Sequence, residues 1–286
     1  MLQVDRFASV FLARPLLTSG LVPVKSGIPI LLYHSVSDDP EPGVSPYYRL
    51  ATSPARFREQ MEWLRASGHS VVGLPDAVRR LSGGRPVDER LAVITFDDGF
   101  RDFYTHAWSV LSQFGFTATM FLPTGFIGRD RQSFKGRECL TWSEVRELQA
   151  AGATFGSHTV SHPKLHGLPW PDVRRELQES RATIEDALGV TVDTFAYPYA
   201  FPQEDAAFAN RFTTMLADHG YVGAVTTVIG RAGGSSEALC LERLPVNQAD
   251  DRALFTTKLA GAYDWLGAVQ LMVRHAKRRV RHRRVS

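Results

Sequence analysis

The sequence predicts an α/β fold in which a parallel sheet of about seven or eight strands closes into a barrel. Three observations predict it. Apolar, strand-like runs alternate with amphipathic, helix-like runs along the chain. The connections between them are short, as parallel βαβ units require. The length, 286 residues, suits one closed barrel better than an open sheet.

The elements follow in order. "IPILLYHSV" (28–36) reads as one buried strand. "SPARFREQMEWLRASG" (53–68) reads as a helix, with Ser53 as N-cap, Pro54 at the first helical position, Phe57, Met61 and Leu64 at helical spacing, and Gly68 at its end. "HSVVGL" is a short strand and "LPDAVRRLSGG" a helix stopped by paired glycines. "LAVITF" (91–96) is a strand and "RDFYTHAWSVLSQFG" a helix. "ATMFLP", "ATFGSH", "TFAYPY" and "YVGAVTT" supply further strands. Between them lie the helices "TWSEVRELQAAG", "PWPDVRRELQESRATIEDALG" and "AFANRFTTMLADHG". From Arg252 onward, Leu254, Phe255, Leu259, Ala262, Tyr263, Leu266, Val269 and Val273 recur at helical spacing and predict one long C-terminal helix.

Composition narrows the function classes. A net charge of +3 and 44% hydrophobic residues exclude a disordered chain. No apolar run reaches the ~18 residues of a spanning helix. The opening residues lack a basic n-region, an unbroken apolar core and a clear cleavage site, which leads to the expectation of a cytoplasmic protein. Cys139 and Cys240 stand far apart and read as two reduced thiols. Seven basic residues, Arg274, Lys277, Arg278, Arg279, Arg281, Arg283 and Arg284, crowd the C-terminal end, so the bulk of the chain is slightly acidic. Composition therefore argues against a specific nucleic-acid binder. It leaves a solvated tail, or a peripheral contact with an anionic membrane on its inner face, as readings of the basic end.

Two stretches carry chemistry. "TFDDG" ends a strand with Asp97 and Asp98 side by side. Adjacent carboxylates repel, and burying both ionised requires a compensating cation. Either one aspartate caps the next helix and the other is solvated, or one binds a metal and the other acts as a base. "SHTVSH" places His158 and His162 four residues apart after another strand. Alone, the pair could be surface histidines; with one carboxylate, two imidazoles make a three-ligand open site suited to Zn, with Co or Ni as alternatives.

Together these motifs resemble the polysaccharide deacetylases of carbohydrate esterase family four, the nodulation-protein-B homology domain, over roughly residues 28–246. The resemblance implies a distorted (β/α)7 barrel. It implies Asp97 as general base, and Asp98, His158 and His162 as ligands of a divalent metal. "TFAYPYA" is similar to the family's R-x-P-[YF]-G segment and places Tyr199 where a backbone N–H helps to stabilise the oxyanion. The Arg of that pattern, which tethers the base, falls on Ala196, and the final Gly on Ala200. Arg243, in "LERLPV", is the candidate to replace it in space. Many members draw the acid from a late Leu-x-His, absent here; one branch draws it from an early Tyr-His, which selects His34 in "LLYHSV". Trp142 reads as a wall of the site or as packing.

The resulting expectation is a metal-dependent hydrolase that removes acetyl groups, N-acetyl first, from an acetylated glycan. A deacylase of a lipid-linked or small cytosolic amino sugar is the alternative, and an inactive carbohydrate-binding barrel the third reading. The expected organisation is an N-terminal extension (1–27), a catalytic domain (28–250) and a C-terminal helix with a basic tail (251–286).

Overall fold

The computed structural model of the protein describes residues 4–21, 23, 26–45, 48–83, 90–233 and 237–283, with side chains as far as residue 277. The chain opens with a continuous helix: α1 (Val4–Phe7), a π-helical stretch (Ala8–Ala13) and α2 (Arg14–Thr18). Then follow β1 (Ile30–Tyr33), β2 (Ser35–Val36), β3 (Ala51–Thr52), α3 (Pro54–Ala66), β4 (Ser70–Val72), α4 (Leu74–Ser82) and β5 (Leu91–Phe96). A π-helical turn leads into α5 (Trp108–Phe114), followed by β6 (Thr119–Leu122), the hairpin β7 (Ser133–Phe134) and β8 (Arg137–Glu138), and α6 (Trp142–Ala150). The chain continues with β9 (Thr154–Ser157), α7 (Trp170–Leu188), β10 (Thr194–Ala196), α8 (Ala206–Asp218), β11 (Gly223–Ile229), β12 (Leu241–Pro245), α9 (Arg252–Leu259) and α10 (Trp265–Arg283).

Seven parallel strands form the ring, in the order β1-β12-β11-β10-β9-β6-β5, and β5 pairs back onto β1 to close it. The expected α/β barrel of seven strands is therefore present, but one strand differs. The run 69–74 supplies β4, which pairs only with the first half of β5 and stays outside the ring. The seventh ring strand is β12, unread in the sequence because Glu242 and Arg243 interrupt its apolar pattern.

Two predicted elements are broken. The run 28–36 splits at His34, and β2 leaves the barrel to pair with β3. The long C-terminal helix is divided between Leu259 and Trp265, where Gly261 takes φ +85° beneath the Arg231 guanidinium, a conformation that residues with a side chain rarely adopt. The helix over 53–68 is as expected. Ser53 accepts the Arg56 N–H at 3.2 Å, Phe57, Met61 and Leu64 are fully buried, and Gly68 ends it with positive φ.

Strand alternation sorts side chains into two layers. Ala92, Ile94 and Phe96 of β5 join the core between strands and outer helices. Leu91 and Val93 turn inward and pack with Ile30, Phe121, Ala196, Val225 and Leu241. Leu74, Ala77 and Val78 of α4 complete this inner cluster. The barrel is narrow: a Cβ on Gly156 would meet the Phe121 ring at 2.5 Å. The bottom is thus filled with apolar side chains, and the inward positions nearer the C-terminal strand ends are Thr95, Asp97 and Arg243.

Residues outside the ring pack on one another. Arg6 pairs with Asp251 at 2.7 Å, Tyr263 donates to Asp5 at 2.7 Å, and Trp265 Nε1 donates to Ser9 at 3.0 Å. Gln270 of α10 bonds the backbone of Thr227 and Ile229, so α10 runs along the end of β11.

Candidate active site

Asp97 continues the inward set of β5. It is 3% exposed and receives both Arg243 nitrogens, Nη1 at 2.7 Å and Nη2 at 2.8 Å. Arg243 also donates from Nε to the Thr226 carbonyl at 2.8 Å and is itself 1% exposed. This fork geometry suits guanidinium and carboxylate. Burial raises the Asp97 carboxyl, but the Arg243 charge and hydrogen bonds outweigh it and hold the group below the usual carboxylate range. The structure thus places Arg243 where the missing Arg at Ala196 would act: both positions turn into the same barrel interior.

Asp98 departs from the strand. Its φ of +71°, followed by +64° at Gly99, turns the chain sharply and sends the second carboxylate away from the first. Glycine is favoured at 99, where φ is positive and a Cβ would crowd Ile127 Cδ1 at 3.0 Å. The turned Asp98 carboxylate meets the two histidines. His162 Nε2 lies 3.2 Å and His158 Nε2 3.7 Å from Asp98 Oδ1, and all three residues are buried.

The loop carrying the histidines is tight rather than helical. Thr159 and His162 take φ of +70° and +53°. Glu176 of α7 accepts from the N–H of Val160 at 2.7 Å and of Ser161 at 2.9 Å, and Thr159 Oγ1 accepts from His162 N–H at 3.0 Å. His158 Nδ1 lies 2.8 Å from the Ala196 carbonyl. That contact fixes the tautomer with a proton on Nδ1 and leaves Nε2, on the side of Asp98, with a free lone pair that can ligate a cation. Burial pushes the His158 imidazole down to about 4, keeping it neutral near pH 7.

These residues fit a divalent cation. One ligand atom from each of Asp98, His158 and His162 lies within 4.8 Å of the others. Asp98 Oδ1 is buried without a hydrogen-bond donor, an expensive arrangement unless a cation completes it. The donor set, two imidazoles and a carboxylate, is that of an open three-ligand site.

Lys135 was not legible as a site residue. It stands at the tip of the β7–β8 hairpin with φ +51°, next to Gly136 at +76°, the two-residue turn that joins such strands. Its Nζ reaches Asp98 Oδ2 at 3.0 Å and lies over the rings of Phe134 and Tyr199. Burial raises the Asp98 carboxyl, yet His162, His34, His158 and Lys135 together hold it far below its ordinary value.

His34 follows β1, whose Tyr33 pairs in register with Phe96, so it arrives at the barrel end where Asp97 begins. It is half-buried; burial lowers its imidazole, partly opposed by the charges of Asp98 and Asp97. Tyr199 takes φ +58° on the opposite rim, with its ring 4.6 Å from that of His162. Tyr197, three per cent exposed, packs among Phe201, Phe208 and Phe212 and has no place in the site. Trp142 packs against the core.

A family model described as polysaccharide deacetylase matches residues 84–222. Over that segment the chain is similar to the polysaccharide deacetylase family. A Bacillus subtilis (strain 168) relative, YxkH, is 28% identical over 236 residues, 82% of this chain and 75% of that one. The poly-beta-1,6-N-acetyl-D-glucosamine N-deacetylase of Escherichia coli (strain K12) is 31% identical over 148 residues, 46% of this chain but 21% of that enzyme. Among solved structures, the Streptococcus pyogenes deacetylase PplD in complex with acetate superposes with a TM-score of 0.68 at 25% identity, covering 82% of this chain and 98% of that one. The family model stops short of Arg243, so the guanidinium that holds Asp97 comes from a strand outside the matched segment.

Proposed function

We propose that this deacetylase hydrolyses the N-acetyl groups of an amino-sugar polysaccharide, with a divalent metal, Zn2+, held by Asp98, His158 and His162. One observation carries the reading: a buried, Arg-tethered carboxylate directly precedes the carboxylate of the metal-ligand set, so a base and a cation site share one rim. The named substrate of the E. coli relative, a β-1,6-linked N-acetylglucosamine polymer, is the first candidate.

A cation bound there supplies Lewis-acid polarisation of the acetyl carbonyl and acidifies water. The chain's own residues do the rest. Asp97, kept ionised by Arg243, takes a proton from the attacking water as its oxygen bonds to the acetyl carbon. The backbone N–H of Tyr199 faces the acetyl oxygen as it gains negative charge. The C–N bond then breaks, and His34 protonates the departing amine; acetate and the amino sugar leave. An imidazole whose charged form is disfavoured by burial is a strong donor once protonated, which suits it to that step.

Acetate release tests the proposal. Oligomers of β-1,6-linked N-acetylglucosamine, chito-oligomers and acetylated xylan are compared, with and without chelator. Release from an N-acetylated oligomer that chelator abolishes and Zn2+ restores is expected. Release from xylan alone, or release unaffected by chelator, contradicts it.

A further inference from the structure

The N-terminal helix is amphipathic in the reverse sense. Its polar residues face the protein: Asp5 and Arg6 bond to Tyr263 and Asp251, Ser9 is fully buried, and Arg14 donates to Thr256. Its large apolar residues face out. Val4, Phe7, Phe11, Leu12 and Leu16 are 70, 57, 59, 55 and 43% exposed. Positions 4, 7 and 11 recur at helical spacing, with 12 and 16 beside them. The Phe7 and Phe11 rings stand 5.3 Å apart, so the stripe is continuous.

The neighbouring α10 extends it. Trp265 is 37% and Met272 62% exposed, with Ala268 between them on the same helix face. A groove of about 380 Å3, lined by Leu16, Leu17, Pro23, Trp265 and Ala268 and by the mutually paired Arg231 and Asp264, joins the two helices. A contiguous apolar surface of this kind marks an interaction site.

Charge selects the partner. From Trp265 to Ser286 the sequence holds no acidic residue and seven Lys or Arg, all between Arg274 and Arg284; Lys277 is exposed. Two copies of the chain meeting through this face would bring like charges together. An anionic lipid surface complements both the charge and the apolar stripe. Among the described residues no helix is long and apolar enough to cross a membrane.

We propose that the N-terminal helix and α10 form a docking surface that lies in the plane of an anionic bilayer. Phe7, Phe11 and their neighbours enter the acyl boundary, and the basic end of α10 contacts the headgroups. The surface is independent of the chemistry assigned to the barrel rim.

Vesicle flotation of the full chain tests it, using phosphatidylcholine vesicles and the same vesicles containing phosphatidylglycerol. The wild-type protein is expected to float with the anionic vesicles and to release at high salt. Phe7→Ser/Phe11→Ser, at exposed positions, should keep the wild-type melting temperature and lower the partition coefficient by more than about tenfold. Arg278→Gln/Arg279→Gln should lower it by about fivefold per charge on anionic vesicles only. Three results would overturn the proposal: no flotation of the wild type, flotation unaffected by the Phe7/Phe11 change, or a wild-type dimer that this change dissociates.

Discussion

Removing Arg243 is the most informative perturbation of the barrel rim. Arg243→Ala deletes both hydrogen bonds to Asp97, at 2.7 and 2.8 Å, and leaves a carboxylate that is 3% exposed with no adjacent guanidinium. Breaking a buried pair in this way costs about 3–5 kcal/mol when the remaining charge must stay. Asp97 relieves the cost by protonating, because burial is the largest influence on it and now acts with little opposition. A protonated Asp97 cannot accept a proton from water, so kcat/KM at pH 7 should fall by about two decades or more and recover in part as pH rises. The assay is the pH profile of acetate release, with bound metal and urea denaturation measured on the same samples. Bound metal should persist, since Asp98, His158 and His162 are untouched. Ala196→Arg in the Arg243→Ala background returns a guanidinium to the same barrel interior from an inward position two strands away, and should restore at least about tenfold of the loss. A wild-type rate profile and stability for Arg243→Ala would refute the tether.

Three further outcomes follow from the same geometry. Burial holds His158 near 4 against an ordinary 6.5, so between these values the unfolded chain binds a proton that the folded one refuses; the metal-free protein should lose stability as pH falls from 6.5 toward 4, by about 3 kcal/mol from His158 alone, with His34 adding in the same direction. A flat dependence in thermal or urea melts, or one that His158→Gln leaves unchanged, contradicts this. His34→Ala should slow hydrolysis of an N-acetyl substrate more than that of an activated acetyl ester, whose leaving group needs no proton; equal losses on both would assign His34 to packing. Lys135→Met removes an ammonium that competes for Asp98 at 3.0 Å and should tighten Zn2+ binding by about tenfold in a competition titration, where an unchanged affinity would show that the lysine is no obstacle.

The legibility of these features varied with how local their causes are. Strands β5, β6 and β9 and helix α3 were readable because period and caps lie within a few residues. Strand β12 was not, because its Arg243 is buried by a partner 146 positions away, and nothing nearby announces that. Strand β4 looked like its neighbours; its exclusion from the ring depends on where β6 takes over the edge of β5. The donor set Asp98, His158 and His162 was visible as two short motifs, while the reason they converge, positive φ at 98, 159 and 162, is a backbone property no side chain advertises except through Gly99. Lys135 and Glu176 escaped notice for a related reason. Each acts through contacts that only the fold brings together, and a lysine in a Lys-Gly turn or a glutamate in a helix has ordinary surface uses. The outward apolar face of the first helix was equally silent, since the sequence gives its periodicity but not which side meets the barrel.

The account rests on a division of labour between two adjacent aspartates, and Asp97→Asn tests it most directly. Acetate release from an N-acetylated glucosamine oligomer is measured with the variant loaded with Zn2+ and its metal content determined on the same sample. Asn keeps the shape and cannot take a proton, so the account predicts a full complement of metal and a rate lowered by about two decades or more. A variant that keeps its metal and its rate, or one that loses its metal and regains full rate when saturated with Zn2+, would contradict it.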